Sequence, residues 1–186
     1  MSNRPSAETV LSIWNPSGNL WAAEYVPDKK DFYLICRNKF KKTAGCRIVS
    51  GAKSPCKDCT SKNYVVLIDE WMRKHLSGEA RIGIYALPPG GDAIYWCAGD
   101  LDGHKEGQDP HSDVGKLIEI CAALDIPLRI FSSNSGNGYH AYLFFSSPVP
   151  AYKARALMLT LLERAGMDTP NQKQVLSMRY PQSRTL

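Results

Sequence analysis

Four cysteines, Cys36, Cys46, Cys56 and Cys59, follow the pattern C-x9-C-x9-C-x2-C. The closing Cys56-Lys57-Asp58-Cys59 pair has the spacing with which a turn chelates one Zn²⁺, and zinc modules tolerate loops as long as the other two. Thiolates are soft ligands that the metal keeps deprotonated near neutral pH. Nearby lysines would offset the negative charge of such a centre. Residues 37–62 are rich in Gly, Ser, Pro and Lys but lack an apolar period, so they need a staple. A redox pair or free thiols is the alternative. Cys97 and Cys121 lie in apolar stretches and read as core residues.

Acid chemistry gathers at Asp100-Leu101-Asp102, which closes the apolar run Tyr95–Gly99. On a strand, residues i and i+2 share a face, so the two carboxylates point the same way about 7 Å apart. Such neighbours repel unless cations sit between them, and Mg²⁺ prefers carboxylates together with substrate phosphates. A strand end with solvated acids fits the same residues. Next comes Ser133-Asn134-Ser135-Gly136-Asn137-Gly138-Tyr139-His140. Here glycines allow a close backbone approach, hydroxyl and amide groups can donate to phosphate oxygens, and His140 can add a further donor. A hairpin with a half-buried histidine is the plain reading. Asp168 follows a long helical stretch and by itself reads as a helix-terminal acid.

Charge is unevenly placed. Residues 29–62 carry ten Lys/Arg against two acids, +8, whereas the other 152 residues sum to −3. A basic block beside a mildly acidic remainder points to a polyanion partner. The composition, 44% hydrophobic and 22% charged, excludes a disordered or fibrous chain. No run of 18 apolar residues occurs, which excludes a transmembrane helix. The N-terminus lacks a secretory signal, so the expected location is cytoplasmic.

The elements that must hold these groups follow from periodicity. Helices are expected over residues 6–13, Ile68–Leu76, Pro110–Leu124 and Pro150–Ala165. The stripe of the second runs through Ile68, Trp71, Met72 and Leu76, and that of the third through Val114, Leu117, Ile118, Cys121 and Leu124. Strands are expected over Trp21–Val26, Phe32–Cys36, Ala80–Leu87, Ala93–Asp102, Leu128–Ser132, Tyr139–Phe145 and Gln174–Tyr180. Pro88–Asp92 reads as a turn between two of them. From Ala80 the order is β-β-α-β-β-α-β, which favours an α+β sandwich with an antiparallel sheet and helices on one face. The chain ends soon after a strand, so a natural continuation past Leu186 is expected.

In combination, DLD on a strand, a helix, SGNGYHAYLFFSSPVP, a second helix and an Asp resemble the archaeo-eukaryotic primase (primase–polymerase) superfamily. FYLICRNKF…GCRIV…CKDC followed by DEWMRKHLSGEARIGIYALPP is similar to the primase family of TOTE conflict systems. The resemblance spans about residues 30–182. It implies an α+β, RRM-like antiparallel primase–polymerase core over residues 66–186, truncated at its C-terminus. An N-terminal αβ segment with the zinc module would occupy residues 1–65. It further implies that Asp100, Asp102 and Asp168 hold two Mg²⁺ or Mn²⁺ ions. His140, with Ser135 and the Gly136–Gly138 backbone, would bind the triphosphate. Lys39, Lys41, Lys42, Arg47 and Lys53 would hold single-stranded DNA template or primer. The implied reaction is template-directed nucleotidyl transfer from nucleoside triphosphates, with a helicase or nuclease as a further partner. Asn134 departs from the basic residue common there, and the aromatic and basic surroundings usual for the third acid are missing around Asp168. The competing readings are a catalytically weak, zinc-stapled nucleic-acid-binding module and a replication-initiator endonuclease. The latter needs a His-apolar-His pair that the flanks of His140 lack.

Overall fold

The computed structural model describes residues 5–29, 31–46, 48–49, 59–88, 90–102, 109–133 and 136–167. They divide at residues 89/90 into two compact units.

In the first unit, helix α1 (Ala7–Trp14) starts where the Ser6 hydroxyl accepts the Thr9 N–H at 3.1 Å. It stops at buried Asn15, whose amide donates to the Leu67 carbonyl and accepts from the Leu20 N–H, both at 3.1 Å. This buried side chain therefore has partners on both sides, as burial requires. Strands β1 (Ala22–Val26) and β2 (Asp31–Leu34) are antiparallel neighbours. Helix α2 (Asp69–Ser77) carries Asp69 and Glu70 in its first turn, where the dipole favours acids, and ends at Gly78 with φ 81°. Arg73 pairs with Asp69, and Lys74 pairs with Glu70 at 2.9 Å. Ala7, Ala22, Leu67 and Met72 form the buried centre, with Val10, Leu11, Ile35, Trp71 and Leu76 packed around it. Ile68 stands before the helix and is exposed.

The strand expected over Ala80–Leu87 is shorter and has a different partner. It is β3 (Ile82–Ile84), antiparallel to β1 in a sheet ordered β2-β1-β3. Apolar alternation specifies a strand but not its partner, and β1 offers a free edge beside Ala22 where Ile82 and Ile84 join the apolar cluster.

The second unit is built on a sheet ordered β4-β6-β5, antiparallel throughout, from β4 (Ala93–Asp102), β5 (Leu128–Ser132) and β6 (Gly138–Pro150). Strand β6 runs past the expected Phe145 because the ten-residue β4 offers partners as far as Ala93, opposite Pro150. The register shifts between Ile94 and Trp96. Helix α3 (Pro110–Ala123) is capped by the Asp109 carboxylate, which accepts from the His111 and Ser112 N–H groups. Helix α4 (Ala151–Arg164) follows β6 directly. The helices cover one sheet face. Cys97 Sγ donates to the Ala154 carbonyl at 3.7 Å, and a Cβ on Gly99 would sit 3.3 Å from Met158 Sδ. Glycine there lets α4 close onto β4. Ile94, Cys97, Leu117, Cys121, Met158, Leu161 and Leu162 are fully buried. Ile118 and Leu124, expected in the buried stripe of α3, are exposed. The strand expected over Gln174–Tyr180 lies outside the described residues.

The architecture is thus mixed α/β with antiparallel sheets. Among the described residues no helix is long and apolar enough to cross a membrane.

Candidate active site

Strand alternation separates two sets of side chains in the second unit. Cys97, Gly99 and Leu101 face the helices, so Asp100 and Asp102 face the other way. Antiparallel pairing sets Asp100 opposite His140 and Asp102 opposite Gly138. Directly opposed residues share a face, so His140 lies beside Asp100, with Nε2 3.4 Å from Asp100 Oδ1. The pair is partly sheltered, at 33% exposure for the imidazole and 20% for the carboxylate.

Gly138 has a specific steric task. A Cβ at this position would lie 2.8 Å from both Asp102 Oδ1 and the Leu101 carbonyl oxygen, and 3.3 Å from Ser133 Oγ. The volume of a side chain is already taken by the Asp102 carboxylate. Gly136, at φ 75°, lets the turn close, with its N–H donating to Ser133 O at 3.0 Å and Ser133 N–H donating to Gly138 O at 2.9 Å. Ser135 and Asp168 lie outside the described residues.

The face that carries Asp100 and His140 continues into an aromatic row. Tyr142 stands 6.4 Å from His140, 5.9 Å from Trp96 and 6.0 Å from Phe144 between ring centroids, and takes Phe131 edge-on at 5.5 Å. Burial and the Asp100 charge push the Tyr142 hydroxyl above its usual pKa. Strand alternation places Tyr142 on the His140 face, as the i+2 neighbour of that residue. On the helix side, His111 Nδ1 and the Tyr139 hydroxyl are hydrogen-bonded at 3.0 Å. The pair joins residues 28 positions apart, which no local sequence pattern brings together.

As a donor set, Asp100 and Asp102 are hard oxygen ligands on one face, which suits Mg²⁺ or Mn²⁺. Such ions commonly take one or two carboxylates and complete their shell with phosphates and water. Among the described residues no group of three or more His, Cys, Asp or Glu is arranged to hold a metal ion.

In the first unit, Cys36, Cys46 and Cys59 are half-buried free thiols. Cys36 Sγ accepts the Asn63 N–H at 3.4 Å. Thiolates suit zinc, but Cys56 lies outside the described residues. Lys39, Lys41 and Lys42 are exposed; Arg47 and Lys53 also lie outside the described residues.

The second unit is thus an antiparallel sheet backed by two helices, with two acids and a histidine on its opposite face, and the family match puts the chain in the primase–polymerase class. More narrowly, the chain belongs to the family described as "TOTE conflict system, Archaeo-Eukaryotic Primase domain", whose family model matches residues 12–182. Membership implies nucleotidyl transfer and nucleic-acid binding at the family level. Among solved structures, the chain is similar to the archaeo-eukaryotic primase domain of the primase–polymerase of cyanophage S-2L. The TM-score is 0.45 at 16% identity, over 92% of this chain and 78% of that one. No curated protein matches the chain.

Proposed function

We propose that the chain is the catalytic domain of a DNA primase–polymerase that adds nucleotides from nucleoside triphosphates to a growing strand on single-stranded DNA. The observation that carries this reading is the register pairing of Asp100 with His140, with Asp102 two residues on, in a chain of the primase family.

In this reading Asp100, Asp102 and Asp168 would hold Mg²⁺ or Mn²⁺. When bound, such cations would supply Lewis-acid activation of the attacking oxygen and charge neutralisation of the leaving pyrophosphate. His140 donates to the triphosphate, as do Ser135 and the Gly136 backbone. Phosphates are fixed anions, so these donors orient them without acid–base work. Gly138 serves by leaving room for the Asp102 carboxylate. The 3′-oxygen bonds to the α-phosphorus as the bond to the β-phosphate oxygen breaks. Lys39, Lys41, Lys42, Arg47 and Lys53 hold the strand's phosphates, because the acids at the active site cannot attract a polyanion. Cys36, Cys46, Cys56 and Cys59 would hold one structural zinc ion, which would staple this basic segment. A helicase or nuclease supplies unwound template or processes the product.

Extension on single-stranded template, with and without primer and in Mg²⁺ or Mn²⁺, tests the reading. Metal-dependent incorporation that disappears in Asp100→Asn is expected. Binding without incorporation in either metal would leave a nucleic-acid-binding module and overturn the enzymatic reading.

A further inference from the structure

Phe40 adopts a backbone conformation that its side chain disfavours. Its φ is 64°, in the left-handed region where a bulky L residue is a steric outlier. It is the third residue of a turn closed by the Lys41 N–H donating to the Asn38 carbonyl at 3.1 Å, a position that glycine fills without steric cost. The flanks hold it there. The Arg37 N–H donates to Asn63 O at 2.8 Å, the Lys39 N–H to Cys36 O at 3.0 Å, and Asn38 Nδ2 to Ser61 O at 2.8 Å.

Packing does not explain the ring, which is 65% exposed. Its recorded neighbour is a cation, Lys39 Nζ, 5.3 Å from the ring centroid. Exposed Lys41 and Lys42 follow, within the stretch that carries +8. Backbone strain held by surrounding bonds gathers at functional positions. An exposed ring among cations is what single-strand binders use: the cations track phosphates and the ring stacks on a base.

We propose that Phe40 is a base-stacking residue for single-stranded nucleic acid held by Lys39, Lys41 and Lys42, presented to solvent by the strained turn. This rests on the reading that the chain engages a single-stranded template, and it adds the base as a second point of recognition.

Anisotropy titrations of a fluorescent oligothymidylate across a salt series, with the full chain, test it. Phe40→Gly is expected to weaken binding between about 5- and 150-fold. The slope of log K against log salt should stay unchanged, because no phosphate contact is lost. Its melting temperature should hold or rise, since glycine relieves the φ strain. Phe40→Trp should retain binding. An oligonucleotide of abasic sugars, which keeps phosphates but has no bases, should bind wild type and Phe40→Gly alike. Replacing Lys39, Lys41 and Lys42 with Ala should flatten the salt slope. If the lysine variant weakens binding while Phe40→Gly binds like wild type, stacking is overturned and the template reading stands. If neither variant changes binding, both the stacking and the placement of the strand on this segment fall. If Phe40→Gly unfolds the protein, the ring is structural and the proposal fails.

Discussion

The two units position their proposed functional side chains by different means. In the second, Asp100, Asp102 and His140 are placed by the ladder between β4 and β6, and the helices back the far face of that sheet. In the first, the basic segment after β2 is held by turn hydrogen bonds and by the isolated bridge of Cys36 with Tyr64. Charge follows the same division: residues 1–89 hold 14 basic and 8 acidic side chains, +6, and residues 90–186 hold 9 and 10, −1. The proposed chemistry needs fixed geometry, and a ladder supplies it. Grip on a flexible polyanion tolerates a looser, turn-built frame.

The largest expected effect lies on the ladder. Asp100→Asn should lower nucleotide incorporation by roughly 10³-fold or more, with an unchanged far-ultraviolet spectrum. Residual activity within tenfold of wild type would break the assignment of catalysis to this sheet. Gly138→Ala should act through crowding alone. Its Cβ would displace the Asp102 carboxylate, so activity should fall by about 10- to 100-fold and stability by about 1–3 kcal/mol. Chemical denaturation beside extension assays reads both, and wild-type values would show that Asp102 has room to move.

Changes in the first unit should spare the chemistry. With Lys39, Lys41 and Lys42 replaced by Ala, log K against log salt should lose about 2 units of slope. Turnover at saturating template should persist. A fall in saturated turnover instead would blur the division between grip and catalysis.

The cysteines sharpen the same contrast. Burial pushes the Cys97 thiol up to about 12, well above an ordinary thiol. The unfolded thiol therefore loses its proton from about pH 9 while the folded one keeps it. This contribution is intact below pH 9 and declines as pH rises towards 12, by about 1 kcal/mol per pH unit. Urea midpoints of wild type and Cys97→Ala should converge between pH 8 and pH 10.5; parallel curves would contradict the burial. The smallest effect is expected from Tyr139→Phe. Loss of the bond to His111 should cost about 0.5–1.5 kcal/mol, with extension unchanged, because Tyr139 faces the helices. A large loss of activity would tie α3 to the reaction.

Much of this was legible from residue order. Two-residue alternation put Asp100 and Asp102 on one face, and the bounds of β4 and β5 match the expected ones because turn residues flank them. Long-range pairing was not legible. Nothing local says that Asp100 meets His140, that β3 joins β1, or that His111 finds Tyr139. Glycines 136 and 138 read alike in sequence. Yet one relieves a positive φ, and the other is excluded from bearing a side chain by a carboxylate across the ladder. Phe40 was hidden for the opposite reason, since turn patterns look for Gly or Asn at such a site.

The register shift between Ile94 and Trp96 has a consequence for how this domain tolerates change in length. Strand β6 jumps from Phe144 to Val149 opposite that short step of β4, so residues 145–148 form slack in an otherwise ruled ladder. An insertion or deletion within 145–148 can be taken up locally, away from the Asp100–His140 pair. One residue lost between Ala141 and Leu143 has no such outlet. It turns one flank of the strand by half a pleat, so either His140 or the ring row that Tyr142 shares with Phe144 changes face. The domain can be spliced at one end of its central strand while the other end is held to single-residue exactness.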